Sequence, residues 1–205
     1  MIKLLRYRAA LLTVLFGLFG GALSQLLVID EMTWYYTALA SIIALVVNLL
    51  VSFLLKGRWS TRMKNHTKIA SILLFLALIA TIYAHTKYFI EGTFSYRGYD
   101  DQISYYVKGN EYTYVAQEFK KANPYIQSDA DLIREGFGSP EEKYKAWTEQ
   151  SINENKLGLI STYSLIIIFF VSLISILIEV LMGRYGKTTE KTFESFEDKK
   201  LKLKF

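Results

Sequence analysis

The sequence contains no cysteine, only two prolines and only two histidines. Without cysteine there is neither a disulfide framework nor a thiolate metal site. His66 and His85 are far apart and lack carboxylates at ligand spacing, which excludes a classical zinc site; no metal or cofactor is expected. Pro124 and Pro140 are the only residues that would break a helix by ring geometry, so long helices can run uninterrupted elsewhere. Nucleophile elbow, P-loop, metalloprotease helix and intramembrane aspartate pair are all missing, and the chain is expected not to be an enzyme. The net charge of +5 suits a nucleic-acid binder in size, but its placement along the chain does not, and no nucleic-acid partner is expected.

What the chain does have is long apolar runs. Residues 1–8 carry Lys3, Arg6 and Arg8, and residues 9–29 are then uninterruptedly apolar. A cleaved signal peptide shares this charge pattern, with Ala22-Leu23-Ser24 as its cleavage site, but signal apolar regions are shorter, at about 7–15 residues. A retained first span over 9–29 is the reading adopted. Residues 33–55 form a second span opening on Trp34, Tyr35 and Tyr36, as an interfacial aromatic belt would. A basic loop at 56–68 precedes a third span at 69–88. A fourth, at 157–182, is broken only by small polar side chains and Glu179, and a tail occupies 183–205. Each run is long enough to cross a hydrocarbon layer about 30 Å thick. The expected partners are therefore the lipid bilayer and a second copy or another membrane protein.

Loop charge orients these spans. The N-terminus, the 56–68 loop and the tail carry +3, +5 and +3, whereas Asp30-Glu31 carries −2 and residues 87–156 carry −3. Basic and acidic segments alternate, which is the positive-inside pattern. It predicts cytoplasmic termini and an extracytoplasmic insert at 89–156, in a plasma membrane whose Lys-, Asn-, Tyr- and Phe-rich composition suggests a bacterium. The fold class expected is an all-α integral membrane protein, four transmembrane helices with a small, mainly helical insert between the third and fourth.

Within that insert, residues 94–106 read as aromatic and irregular, with Gly92, Gly98 and Asp100-Asp101 as turn signals. Asn110 is expected to cap a helix over 111–122 that buries Val115 and Phe119 and ends at Asn123-Pro124. Ser128 is placed to cap a second short helix, with Leu132, Ile133 and Phe137 inward and Gly136 or Gly138 as its stop. Ser139, Pro140 and Glu142 make a capping box for a third helix over 139–156. No turn separates it from the fourth span, so one helix running from insert to membrane is expected. A competing reading pairs Ile103–Val107 with Tyr112–Val115 as a hairpin.

The candidate residues follow from cost. A carboxylate in a span is expensive, which singles out Glu179; one turn from Gly183 and Arg184, it fits either an interfacial position or a gating role. Asn48, with Ser172 and Ser175, lies on polar helix faces, and Gly17-x-x-x-Gly21 is a packing motif; helix packing and a water-filled path both use such faces. Tyr144 and Trp147 are expected to be presented by the insert for interaction. Arg58, Arg62 and Lys64 fit anionic lipid. The paired acids of the insert lack the spacing of a calcium loop. Three classes of function result. The first is a non-catalytic membrane component that senses or responds through its insert, one version being a membrane-perturbing effector of a bacterial defence or stress system. The second is a channel or transporter subunit using the polar faces and Glu179. The third is a membrane enzyme without a recognisable motif.

Overall fold

The structure is a computed structural model and describes residues 29, 32–55, 61–98 and 101–202, without side chains at 33–35, 61–62 and 182–202. The expected first span at 9–29, including Gly17 and Gly21, lies outside the described residues apart from Ile29. So do the N-terminal segment, the Asp30-Glu31 turn, and Arg58 in the basic loop.

The chain is mostly helical. Helix α1 is Thr33–Leu55 and α2 is Thr61–Gly92; a two-stranded antiparallel sheet follows, β1 Thr93–Arg97 and β2 Ile103–Val107. Next come α3, Tyr114–Ala122, four short helical segments, and α4, Glu149–Lys202. Among the described residues, three helices are long and apolar enough to cross a membrane: Tyr36–Leu55, Met63–Gly92 and Glu149–Leu181. Apolar side chains lie outward on the first two, with Phe53 78% and Leu73 61% exposed. This marks a membrane-associated protein, because water penalises such surface and lipid does not.

Backbone contacts group the chain into two compact units. Among the described residues, one holds 43–55, 61–77 and 168–202, and the other holds 29, 32–42, 78–98 and 101–167. In the first unit the Ser175 hydroxyl donates to Asn48 Oδ1 at 3.1 Å. In the second, the core gathers Phe94, Val107, Ala116, Leu132, Ile133, Trp147 and Ile152, all buried.

Helix α2 packs through a narrow seam. Thr67, Ser71, Leu74, Leu78, Thr81, His85, Phe89 and Gly92 are buried or half-buried, while most residues between them are exposed. The steps between them are of three or four residues, the spacing of one face of an α-helix.

Several expectations need correction. The basic loop expected at 56–68 is helical from Thr61, so the third helix starts earlier and ends later than 69–88. Of the stretch 94–106, expected to be irregular, residues 94–97 and 103–106 are strand. They form most of a hairpin whose register pairs Thr93 with Val107 and Arg97 with Ile103. The competing hairpin had Ile103–Val107 right as a strand and its partner wrong: Tyr112 makes a single bridge, to Trp147. Asn110 caps nothing, and α3 begins three residues later than expected, where Thr113 accepts the Ala116 N–H at 3.2 Å. Val115 points outward, 61% exposed, and Ala116 takes the buried position.

Ser128 does cap, accepting the Asp131 N–H at 3.0 Å. The turn it opens widens into a π-helix, Leu132–Phe137, closed by Gly138 at φ 89, a backbone angle that favours glycine. The extra residue in that wide turn lets adjacent Leu132 and Ile133 both reach the core. Ser139 makes no capping bond to the backbone, and its turn is 3₁₀, Pro140–Glu142. The helix expected over 139–156 breaks at Trp147, which is extended at φ −120 and ψ 152 so that its backbone can pair with Tyr112. The uninterrupted helix therefore starts at Glu149, and it continues to Lys202 beyond the expected span end.

Candidate functional site

The most specific structure in the molecule lies where the segment 108–113 meets the start of α4. Thr148 precedes the helix, and its hydroxyl accepts the Ser151 N–H at 3.4 Å, capping the first turn. The Ser151 hydroxyl donates back to the Thr148 carbonyl at 3.0 Å and accepts from the Thr148 hydroxyl at 3.0 Å and the Glu111 N–H at 3.4 Å. Backbone bonds bracket this exchange: the Thr148 N–H donates to Glu111 O at 2.9 Å and the Thr113 N–H to Ala146 O at 3.0 Å. The Thr113 hydroxyl also donates to the Lys145 carbonyl.

Gly109 makes the approach possible. A Cβ at this position would fall on the Ser151 hydroxyl oxygen and 2.8 Å from Trp147 Cβ. One turn further along α4, Asn155 is 5% exposed. Its amide donates to Lys108 O at 2.9 Å and to Asn110 Oδ1 at 3.0 Å, while the Asn110 amide returns a bond to Asn155 Oδ1 at 3.1 Å. The reciprocal amide pair satisfies groups that burial would otherwise leave costly. Trp147, 1% exposed, backs the site: its ring lies 5.4 Å from Phe94 and 6.0 Å from Tyr112.

The contact continues between α2 and α4 as an antiparallel ladder. Gly92 faces Asn155, with 3.3 Å between a Cβ there and Asn155 Cγ, and the Tyr88 ring lies on the bare backbone of Gly158. His85, 1% exposed, bonds through Nδ1 to Thr162 Oγ1 at 2.8 Å. The Thr162 hydroxyl also lies 2.8 Å from Gly158 O, one turn back along α4. Tyr163 packs 6.2 Å from the His85 ring and 4.5 Å from Tyr36.

A second network holds the outer side of the same segment. Lys108 Nζ pairs with Asp129 Oδ2 at 2.6 Å, both side chains about one-fifth exposed, and the Tyr112 hydroxyl donates to Asp129 Oδ1 at 2.9 Å. Lys120 donates to the Tyr112 hydroxyl at 3.2 Å. Nearby, the Tyr125 hydroxyl is pushed above its ordinary range, first by its hydrogen bond to Glu135. The Ser139 hydroxyl donates to the Glu141 carboxylate and, with the residue's own N–H, holds it below the usual range. No group of three or more histidine, aspartate or glutamate side chains converges among the described residues.

The candidates read from sequence are scattered over this picture. Asn48 and Ser175 are brought together, and Ser172 and Glu179 are buried beside them in sequence at 9% and 7% exposure. Tyr144 and Trp147 part company. Tyr144 is 47% exposed, whereas Trp147 is spent on the core and displays no surface, because its extended backbone turns the ring toward Phe94 and Tyr112. Lys64 is exposed on α2; the side chain of Arg62, like all of Arg58, lies outside what is described.

Gly109, Ser151 and Asn155 were not singled out from sequence. The one visible signal for Ser151 and Asn155 is the density of polar residues in 147–155, immediately before an apolar run. Comparison of the chain with protein-family models, with characterised proteins and with solved structures finds no match.

Proposed function

We propose that this is a non-catalytic, multi-pass bacterial plasma-membrane protein that senses or responds through its extracytoplasmic domain and acts by self-assembly or partner binding. In this reading it crosses the bilayer four times with both termini cytoplasmic, and 89–156 lies outside. One version is a membrane-perturbing effector of a defence or stress system.

A single observation carries the proposal. The segment 108–113 is keyed, through Gly109, Ser151 and the Asn110–Asn155 pair, into the first turns of the long helix α4. A domain that served only as a cover would need no such fitted attachment to a span. One that answers a stimulus needs its movement delivered to the helix, and rigid, satisfied polar contacts deliver it.

The channel or transporter reading has its own observation, the buried Glu179 one helical turn along α4 from Ser175. The Asn48–Ser175 bond supports packing over a water-lined path, because the Ser175 proton and Asn48 Oδ1 are already spent on a contact between helices. The test is the oligomeric state of the full chain in nanodiscs, read with dye release from vesicles. A defined oligomer in sealed vesicles supports an assembling sensor or scaffold, and an oligomer that releases dye supports the membrane-perturbing version. A monomer that releases nothing and captures no membrane partner overturns the proposal. Dye release abolished by Glu179→Gln moves the protein to the channel class.

A further inference from the structure

We propose that the outward face of α3 is the surface on which a second copy of this chain docks, antiparallel and across a two-fold axis; the inference deepens the self-assembly reading and rests on it. Helix α3 is held from one side. Ala116 is buried, the Phe119 ring packs against Gly136 and 6.2 Å from Phe137, and Lys120 turns to the Tyr112 hydroxyl at 3.2 Å. The opposite side carries Tyr114, Gln117, Glu118, Lys121 and Ala122, all exposed, within an arc of about 140°. Val115 borders that arc; Tyr114 is 76% exposed and Val115 61%. Tyrosine is enriched in protein contacts, where its ring and hydroxyl serve apolar and polar neighbours alike.

Charge identifies the occupant. Glu118 and Lys121 pair at 2.7 Å on this face, with side chains 48% and 71% exposed, so together they give it no net charge and no preference for a uniformly charged partner. The pattern is instead its own complement. Two copies of α3 laid antiparallel, with the axis crossing between positions 119 and 120, set Glu118 opposite the partner's Lys121 and Lys121 opposite the partner's Glu118. Gln117 then faces the partner's Ala122, a small side chain that lets the helices approach. Charge also fixes the register. A shift of three residues one way sets Glu118 against the partner's Glu118, and the same shift the other way sets Lys121 against the partner's Lys121. A nine-residue helix offers less than the roughly 800 Å² per partner of a standard stable interface, so the contact is weak alone. Spans that confine two copies to one bilayer raise their effective concentration and make a weak contact sufficient.

Charge reversal tests this directly. The chain has no cysteine, so exposed Asn153→Cys gives a single labelling site in the full-length protein. Donor- and acceptor-labelled chains are mixed in mild detergent, where copies exchange, and energy transfer is read against concentration. Glu118→Lys and Lys121→Glu should each weaken self-association about tenfold, since each sets like charges opposite one another at both symmetry-related contacts. Mixed in equal amounts, the two variants should recover wild-type transfer, because every facing pair is then opposite in sign. The doubly reversed chain, Glu118→Lys with Lys121→Glu, should pair with itself as the wild type does. Recovery on mixing also shows that both variants are folded. Wild-type transfer that neither reversal weakens, or a weakening that mixing does not repair, overturns the α3 face and leaves self-assembly standing. A wild-type chain that shows no transfer in detergent or in nanodiscs overturns the self-assembly reading along with it.

Discussion

The intervening domain and the apolar helices solve packing in opposite ways. In the domain nearly every fitted contact is directional: the Asn110–Asn155 amides, the Thr148–Ser151 exchange and the Lys108–Asp129 pair surround a core in which Trp147, Leu132 and Ile133 are fully buried. Along 43–55 and 61–77, by contrast, large apolar side chains stand outward and α2 uses only a narrow seam on which Thr67 is buried and Ser71 half-buried. The difference reflects the solvent each region is built for. Apolar burial drives folding in water, but lipid gives it nothing, so helices there gain from close backbones and a few interior polar pairs such as Asn48–Ser175. A single average over the chain would hide both designs.

The comparison breaks most visibly at Trp147. Trp147→Ala is expected to cost about 3–5 kcal/mol, read as lost hydrogen-exchange protection across 93–148 in nanodiscs with 61–77 unchanged; equal loss in both segments would show that the regions do not fold separately. Gly109→Ala comes next, at about 1–3 kcal/mol from forced overpacking. Adding Ser151→Ala should recover part of that loss in a double-mutant cycle, since the hydroxyl it strikes is gone. Full additivity would mean that the strain lies elsewhere. In the helices the same logic yields a smaller number: the Asn48→Ala and Ser175→Ala cycle should return a coupling of about 0.6 kcal/mol, the average found for polar pairs between membrane helices.

The smallest effect is a titration. Glu141 has a folded value below its unfolded one, so its contribution is present near neutral pH and is lost as pH falls through the folded value. Ser139→Ala should move its midpoint up toward that of an ordinary carboxylate, read by NMR of the glutamate carbonyl. The group is almost fully exposed and solvent screens it, so little change in unfolding temperature is expected. An unmoved midpoint would remove Ser139 as the cause.

How much of this was legible in the sequence varied with the type of interaction. The apolar helices were legible from length alone, and Ser128 from the local rule that a hydroxyl before acidic residues caps a turn. Trp147 was noticed for the wrong reason. Nothing local to residues 147–148 signals a break, because the extended backbone there is imposed by pairing with Tyr112, distant in sequence. The hairpin was half-read for a similar cause: Ile103–Val107 has strand composition, while Thr93–Arg97 follows helix α2 without a breaker other than Gly92. Gly109 carries no local signal of its role, which is steric and requires Ser151 to be seen. Local chemistry reads well from sequence, and contacts closed across the fold do not.

The Tyr88 ring on Gly158 has a mechanical consequence. A Cβ at Gly158 would lie 2.9 Å from the ring, and the residues on either side are Leu157 and Leu159. Residues three and four apart share a helix face, so sliding α4 along α2 by a turn, about 5.4 Å, would drive the ring out of the bare position and onto Asn155 or Thr162. The glycine is thus a notch and the tyrosine its catch. Piston motion between these two helices is blocked there, while rolling and tilting about the catch stay open. Any stimulus relayed along this pair must travel as a change of angle.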